Sequence, residues 1–158
     1  MEIEVSREMA ASPARVAAIM FDPRRDSDWM GNARLTEVPH RDWLAVGTRI
    51  RREGNLMGRK YSSTARIEEH VPGRLLRFQF VEGPVSGDVA YRIEPSEAGS
   101  HVTIQDRSQF GFTVMSWMVR QQLGEDLDRL AQLVEGPDTR EDELETASEL
   151  DPWGSEPD

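Results

Sequence analysis

Apolar residues along this chain follow two periods. Over residues 2–9 they alternate: Ile3, Val5 and Met9 share a face with Arg7, while Glu2, Glu4, Ser6 and Glu8 take the other, which is strand spacing. Near the end, Met115, Val119, Leu123, Leu127, Leu130, Leu133 and Val134 recur at helical spacing within one arc of roughly 120°. The arc predicts a helix over Thr113–Glu135, about 34 Å long, enough to cross a small domain. Asp126 lies inside the arc. Val114, Trp117 and Met118 point away from it, so the first two turns are apolar on more than one side and sit in a crowded core or border a cavity. Gly124 falls opposite the stripe, where glycine costs about 0.5–1 kcal/mol relative to alanine. Either another element packs closely over it or the helix bends there.

Between these segments the punctuation is regular. Ser12-Pro13 reads as an N-cap followed by proline at the first helical position, and Asp22-Pro23 repeats the signal, so two short helices follow the first strand. From Asn32 onward the chain reads as strands and turns: residues 34–38, 47–53, 59–70, 75–82, 85–94 and 101–110. The breaks include Gly54-Asn55-Leu56-Met57-Gly58, Pro72-Gly73 and Gly83-Pro84, the turn chemistry of an antiparallel meander. Seven strands with one apolar face must cover that face, and the long helix is the element able to do it. Strand parity turns inward Thr48, Ile50 and Arg52; Tyr61, Ser63, Ala65 and Ile67; Leu76, Phe78 and Phe80; Val89, Tyr91 and Ile93; and Val102, Ile104, Asp106, Ser108 and Phe110. Arg49, Arg51, Lys60, Arg66, Arg77, Arg92 and Arg107 fall on the solvated face. Buried hydroxyls on Tyr61, Ser63 and Tyr91 need a partner or a ligand. Arg52 and Asp106 share the inward parity and are expected to form an ion pair, unless a bulge turns either one out.

Composition narrows the function classes. At 158 residues the chain suits one domain. It lacks an apolar run of about 18 residues, the basic start of a signal peptide, and any cysteine, so membrane insertion is not expected and a reducing cytoplasm fits. The net charge of −10 is uneven: residues 136–158 hold nine acids against Arg140, leaving about −2 for residues 1–135. This acidic tail is expected to be disordered, and a nearly neutral body lacks the positive field that nucleic-acid binding needs. His40, His70 and His101 fall in or beside predicted loops, are expected as surface residues, and have no metal-ligand spacing, so neither a metal nor a cofactor is expected. Glu68 and Glu69, being adjacent on a strand, face opposite ways and are no catalytic pair.

Several stretches, in order, resemble the START-like (SRPBCC, or Bet v 1-like) helix-grip superfamily, in its polyketide cyclase/dehydrase-like branch. They are Ala11-Ser12-Pro13-Ala14-Arg15-Val16, Asp28-Trp29-Met30, Val46-Gly47-Thr48-Arg49, Val71-Pro72-Gly73-Arg74-Leu75, Val81-Glu82-Gly83-Pro84 and Tyr91-Arg92-Ile93-Glu94-Pro95, with the closing helix. The resemblance covers about residues 2–135 and implies an α+β fold: a curved seven-stranded antiparallel sheet wrapped around a long C-terminal helix, with two short helices after the first strand. It also implies a hydrophobic cavity between helix and sheet, with its mouth at the Trp29–Asn32 corner, Leu56-Met57, Pro84-Val85 and Phe112. With the inward parity this nominates Trp29, Ile50, Tyr61, Ser63, Phe78, Phe80, Tyr91, Phe112, Met115 and Val119 as ligand-binding residues, Ser63 as the polar anchor. The expected ligand is a hydrophobic small molecule such as a lipid, isoprenoid or polyketide. The alternatives are a cyclase/dehydrase-type enzyme, with Tyr61, Ser63, Tyr91 or Arg52 as its polar group, and an interaction module that uses the apolar helix start, self-association included. Aromatase/cyclases similar to this chain carry an arginine on the strand just before the Val-Pro turn. Here that place reads Glu68-Glu69-His70, so that arginine is not carried over.

Overall fold

A computed structural model describes residues 2–37, 42–56, 58–111 and 113–136. Met57, Phe112 and the acidic tail from residue 137 onward lie outside the described residues, so the expectations placed on them are not addressed by the coordinates. Strand β1 (Ile3–Met9) leads into α1 (Pro13–Met20), a 3-10 turn (Pro23–Arg25) and α2 (Asp26–Trp29). Strands β2 (Ala33–Leu35), β3 (Arg49–Leu56), β4 (Arg59–Val71), β5 (Leu75–Glu82), β6 (Val85–Ser86), β7 (Asp88–Pro95), β8 (Ser100–Asp106) and β9 (Gln109–Phe110) follow, and α3 (Ser116–Glu135) closes the chain.

Seven strands form one antiparallel sheet in the order β1-β8-β7-β5-β4-β3-β2, so the short helices carry the chain from one sheet edge to the other. The caps are as the sequence reads them. Ser12 Oγ accepts from the Arg15 amide at 3.2 Å, and Asp22 Oδ1 accepts from the Arg24 amide at 3.0 Å. The long helix packs on the concave face. Leu127, Leu130, Ala131 and Val134 enter the main core with Met9, Trp29, Ile67, Leu76, Ile93 and Val102. At its far end the Arg15 guanidinium donates to the Val134 carbonyl at 2.6 Å, covering an oxygen that the helix itself leaves open.

Three features bend the sheet around α3. Strand β4 carries register shifts at Thr64/Ala65 and Ile67/Glu69 opposite β5, and such bulges increase local twist. The stretches read as single strands over 85–94 and 101–110 each break in two: Gly87 separates β6 from β7, and Arg107-Ser108 separates β8 from β9. Gly87 has φ +92°, and a Cβ there would stand 2.3 Å from the Arg107 carbonyl oxygen, so the two breaks are one shared bend. Beyond it β6 and β9 pair as a two-stranded flap.

Inward parity holds on β3, where Ile50, Arg52, Gly54 and Leu56 are buried and their neighbours exposed. The bulge at Glu68 shifts parity afterwards, so His70 pairs opposite the buried Leu76 and sets its ring edge-on to Phe21, with centroids 6.1 Å apart. His101 lies on β8, 3.0 Å from Glu8. Both histidines therefore lie near strand ends, as the strand readings 59–70 and 101–110 place them, and His40 lies outside the described residues. Helix α3 begins at Ser116, about one turn later than its apolar period suggests, with Met115 as a cap that makes no side-chain hydrogen bond.

Among the described residues no element packs over Gly124: a Cβ there would meet nothing within 4 Å. The expectation of close packing at this glycine fails, and its helical cost is not offset by a neighbour. Replacing Gly124 by Ala is expected to stabilise the protein by about 0.5–1 kcal/mol, read as a higher denaturation midpoint at unchanged slope.

Candidate functional site

Where the bent sheet and the first half of α3 diverge, two adjoining voids remain. The inner chamber, about 110 Å³, is walled by Trp29, Phe78, Phe80, Val89, Ile104 and Leu123, with Arg52, Ser63, Tyr91 and Asp126 as polar groups. The outer chamber, also about 110 Å³, lies among Leu56, Val85, Phe110, Val119 and Gln122. Asn32, Tyr61, Phe80, Asp106 and Leu123 border both chambers. Asn32 and Tyr61 also border a wider surface groove beside Ser27, Gly31, Glu53 and Lys60, which the inner chamber further meets at Met30, Ala33 and Gly54.

Tyr61 is placed there by its cross-strand partner, Gly54. A Cβ at Gly54 would lie 2.3 Å from the Tyr61 ring, so only glycine lets the ring fold across the strand. Phe110 meets the ring edge-on at 5.8 Å. Deeper in, Phe78 stands edge-on to both Phe80 and Tyr91, at 5.8 and 5.4 Å. Trp29 from α2 meets Tyr91 at 5.8 Å. The inner chamber thus has aromatic walls whose mutual contacts fix their positions.

Two charged clusters hold the rim. Arg52 is 8% exposed and its Nε donates to Asp26 Oδ2 at 2.5 Å, where Asp26 is 1% exposed. This pair replaces the expected Arg52–Asp106 pair. Both parities were inward, but α2 brings Asp26 to the arginine, while Asp106 Oδ1 accepts from the Ser108 amide at 2.7 Å. Burial opposes charge on Arg52, but Asp26 more than offsets it and holds the guanidinium protonated. Burial also raises the Asp26 carboxyl above the usual range, with Arg52 working against that rise. On α3, Asp126 Oδ1 accepts from the Gly31 amide at 3.0 Å and from Gln122 at 2.9 Å, and pairs with Arg129. Arg129 in turn donates to the Trp29 carbonyl at 2.9 Å. These bonds tie the Trp29–Gly31 corner to the helix.

Of the residues nominated from sequence, Trp29, Tyr61, Ser63, Phe78, Phe80 and Tyr91 border the inner chamber, and Val119 borders the outer one. Ile50 packs in the core away from both. Met115 is 51% exposed and stands outside the walls, as does Trp117 at 60%. The late start of α3 is the reason, since it leaves Met115 ahead of the turns that cover the sheet. Leu56, by contrast, is buried against Ile3 and Val119, so this apolar turn residue is accounted for by packing. Sequence reasoning did not nominate Asp126, Asp106, Leu123 or Asn32 as ligand-binding, although signals were legible: Asp126 and Leu123 lie in the apolar arc of α3, Asp106 has inward parity, and Asn32 belongs to the inferred mouth.

Among the described residues no group of three or more His, Asp or Glu side chains is placed to hold a metal ion. No described helix is long and apolar enough to cross a membrane.

Burial raises the carboxyls of Asp26, Asp106 and Asp126 above their ordinary value. Each therefore binds its proton more tightly folded than unfolded. The stability this lends is complete below the unfolded value and is lost as pH rises through the raised one. Asp106→Asn keeps an oxygen for the Ser108 amide and removes one buried charge. We expect the variant to melt a few degrees above wild type at pH 7 and level with it below about pH 4. Melting curves across that range check this, and an equal offset at both ends would contradict it.

The comparisons bear on this arrangement. No curated protein matches the chain. Among solved structures it is similar to protein CV1439 of Chromobacterium violaceum, at 26% identity and a TM-score of 0.66, over 87% of this chain and 99% of that one. A Thermus thermophilus protein is similar at 18% identity and a TM-score of 0.67, over 84% and 95% of the two chains. A START superfamily protein from Mycobacterium smegmatis is similar at 16% identity and 0.65, over 85% and 94%. These last two likenesses concern the fold. The sequence profile of the family described as polyketide cyclase / dehydrase and lipid transport matches residues 1–135, nearly all of the described chain. A curved antiparallel sheet gripping a C-terminal helix is the START-like fold, and this chain belongs to the polyketide cyclase/dehydrase and lipid transport family.

Proposed function

We propose that the protein binds a compact hydrophobic small molecule between α3 and the sheet. The observation that carries this reading is the pair of adjoining chambers, each about 110 Å³, walled by aromatic and aliphatic side chains. A shell of apolar walls with a few placed polar groups is the usual composition of ligand sites. The chambers suit a molecule of one to three rings or a short isoprenoid better than a long acyl chain. Burying roughly 300 Å² of apolar surface yields several kcal/mol before the cost of lost freedom, which corresponds to micromolar affinity.

A second reading, an enzyme of the cyclase/dehydrase type, draws on Asp106. It lies between the chambers beside Tyr61, whose phenol is held above its ordinary value by burial and by the Asp106 charge. A carboxyl with a raised value next to a phenol is suited to proton transfer. Turnover of a polyketide-like ketone that disappears in Asp106→Asn supports the enzyme; binding without turnover supports the carrier.

Leu123 borders both chambers, so enlarging it tests the binding reading directly. Leu123→Trp is expected to weaken binding of the neutral fluorescent probe N-phenyl-1-naphthylamine more than about tenfold, at a folding cost of about 1–3 kcal/mol. Unchanged probe affinity in a folded variant would place the binding elsewhere.

A further inference from the structure

Apart from Asp126, whose Oδ1 is taken by the Gly31 amide, Gln122 and Arg129, three polar side chains border the inner chamber but not the outer one: Arg52, Ser63 and Tyr91. They are 8%, 6% and 4% exposed, so bulk water reaches them little. Among the described residues the only hydrogen bond to any of their side-chain groups is that of Arg52 Nε to Asp26. Both Arg52 Nη nitrogens, the Ser63 hydroxyl and the Tyr91 hydroxyl therefore have no hydrogen-bond partner among the described residues. They are not sealed in, as Asp26 Oδ1 and Trp29 Nε1 are, and so they open onto the chamber.

The three are brought together by the sheet. Ser63 is the cross-strand partner of Arg52. The guanidinium stands 5.2 Å from the centre of the Phe78 ring, and the same ring contacts Tyr91 at 5.4 Å. A guanidinium only donates, and the protonated hydroxyls of Ser63 and Tyr91, which can also accept, are each able to donate. A single group that meets all three must therefore accept.

Charge selects among acceptors. The positive charge of Arg52 is already matched by Asp26. Two further carboxyl groups, Asp106 and Asp126, border the same chamber. A carboxylate entering this space would lose its hydration and meet no uncompensated cation, which is costly in a low-dielectric site. A carbonyl oxygen accepts the same hydrogen bonds without that cost.

We propose that the inner chamber is a subsite for an uncharged carbonyl group on an apolar, preferably aromatic, molecule, with Arg52, Ser63 and Tyr91 as its donors, and that it discriminates against carboxylates. This rests on the reading of the cavity as a hydrophobic ligand site and names the ligand's chemical class.

Three probes of similar shape test it by calorimetry at pH 7: 2-acetylnaphthalene, 2-ethylnaphthalene and 2-naphthoate. The ketone is expected to bind about tenfold more tightly than the hydrocarbon, and by at least that factor more tightly than the carboxylate. Tyr91→Phe keeps the ring and removes one donor, so it reduces the ketone's advantage over the hydrocarbon severalfold and leaves the hydrocarbon's affinity in place. Asp26→Asn uncovers the Arg52 charge, and the naphthoate then gains relative to the ketone. If that variant does not fold, the wild-type order and Tyr91→Phe decide. Naphthoate binding as tightly as the ketone in wild type, or Tyr91→Phe leaving the ketone-to-hydrocarbon ratio unchanged, overturns the subsite. Hydrocarbon binding with no ketone preference overturns the subsite alone, whereas no binding of any probe overturns the hydrophobic cavity with it.

Discussion

The hydrogen-bonded ion pair between Arg52 on β3 and Asp26 on α2 is the contact on which the cavity end of the molecule depends. It is the one ion pair among the described residues with both side chains at or below 10% exposure. Exposed pairs such as Arg34–Glu53 and Arg49–Glu82 contribute little, because water screens both partners. Breaking a buried pair from one side costs about 3–5 kcal/mol, because the remaining charge has no water. What the pair secures is position. Helix α2 has four residues and would not persist alone. Anchored at Asp26, it sets Trp29 against Tyr91 and presents the Met30–Ala33 corner to the cavity.

The cavity follows from a mismatch of shape. A straight helix cannot touch every part of a sheet that bends at Gly87 and at two points along β4. Toward its C-terminal end α3 fills the gap with Leu127, Leu130 and Val134, all nearly inaccessible. Toward its start the stripe thins to Val119 and Leu123, and Asp126 and Gln122 interrupt it. Asp126 is turned to use by the Gly31 amide, Gln122 and Arg129, so a residue that weakens the core becomes a strap across the cavity's rim. Tyr61, folded over Gly54, then borders both chambers and the surface groove.

The walls are unevenly polar, and this matters for a scaffold that hosts carriers and enzymes alike. Aromatic rings supply most of the inner surface, while a donor-rich patch and two carboxyls with raised affinity for protons face the same volume. A ligand held there, as proposed, would be selected by hydrogen-bond type as well as by size, since each unpaired buried donor penalises a ligand that cannot accept.

Sequence alone determined the order of elements, the caps at Ser12 and Asp22, and the inward side of β3, β5, β7 and β8. These are local: alternation and helical spacing are set by backbone geometry within a few residues. The aromatic walls at Phe78, Phe80 and Tyr91 followed from the same alternation. What only the tertiary structure decided is which groups meet. Parity brought Arg52 and Asp106 inward but could not say that α2, arriving from the other side of the fold, would place Asp26 at the guanidinium first. The bulge at Glu68 exists only because β4 pairs out of step with β5, and it turned His70 toward Phe21. The shared bend at Gly87 and Arg107 is likewise a contact between strands, and it split two runs that each read as continuous. Met115 kept its helical spacing yet stayed in solvent, because the helix begins after it. Periodicity fixes the face a residue takes, whereas pairing register and the meeting of distant elements fix its neighbours, and the chemistry of this cavity resides in the neighbours.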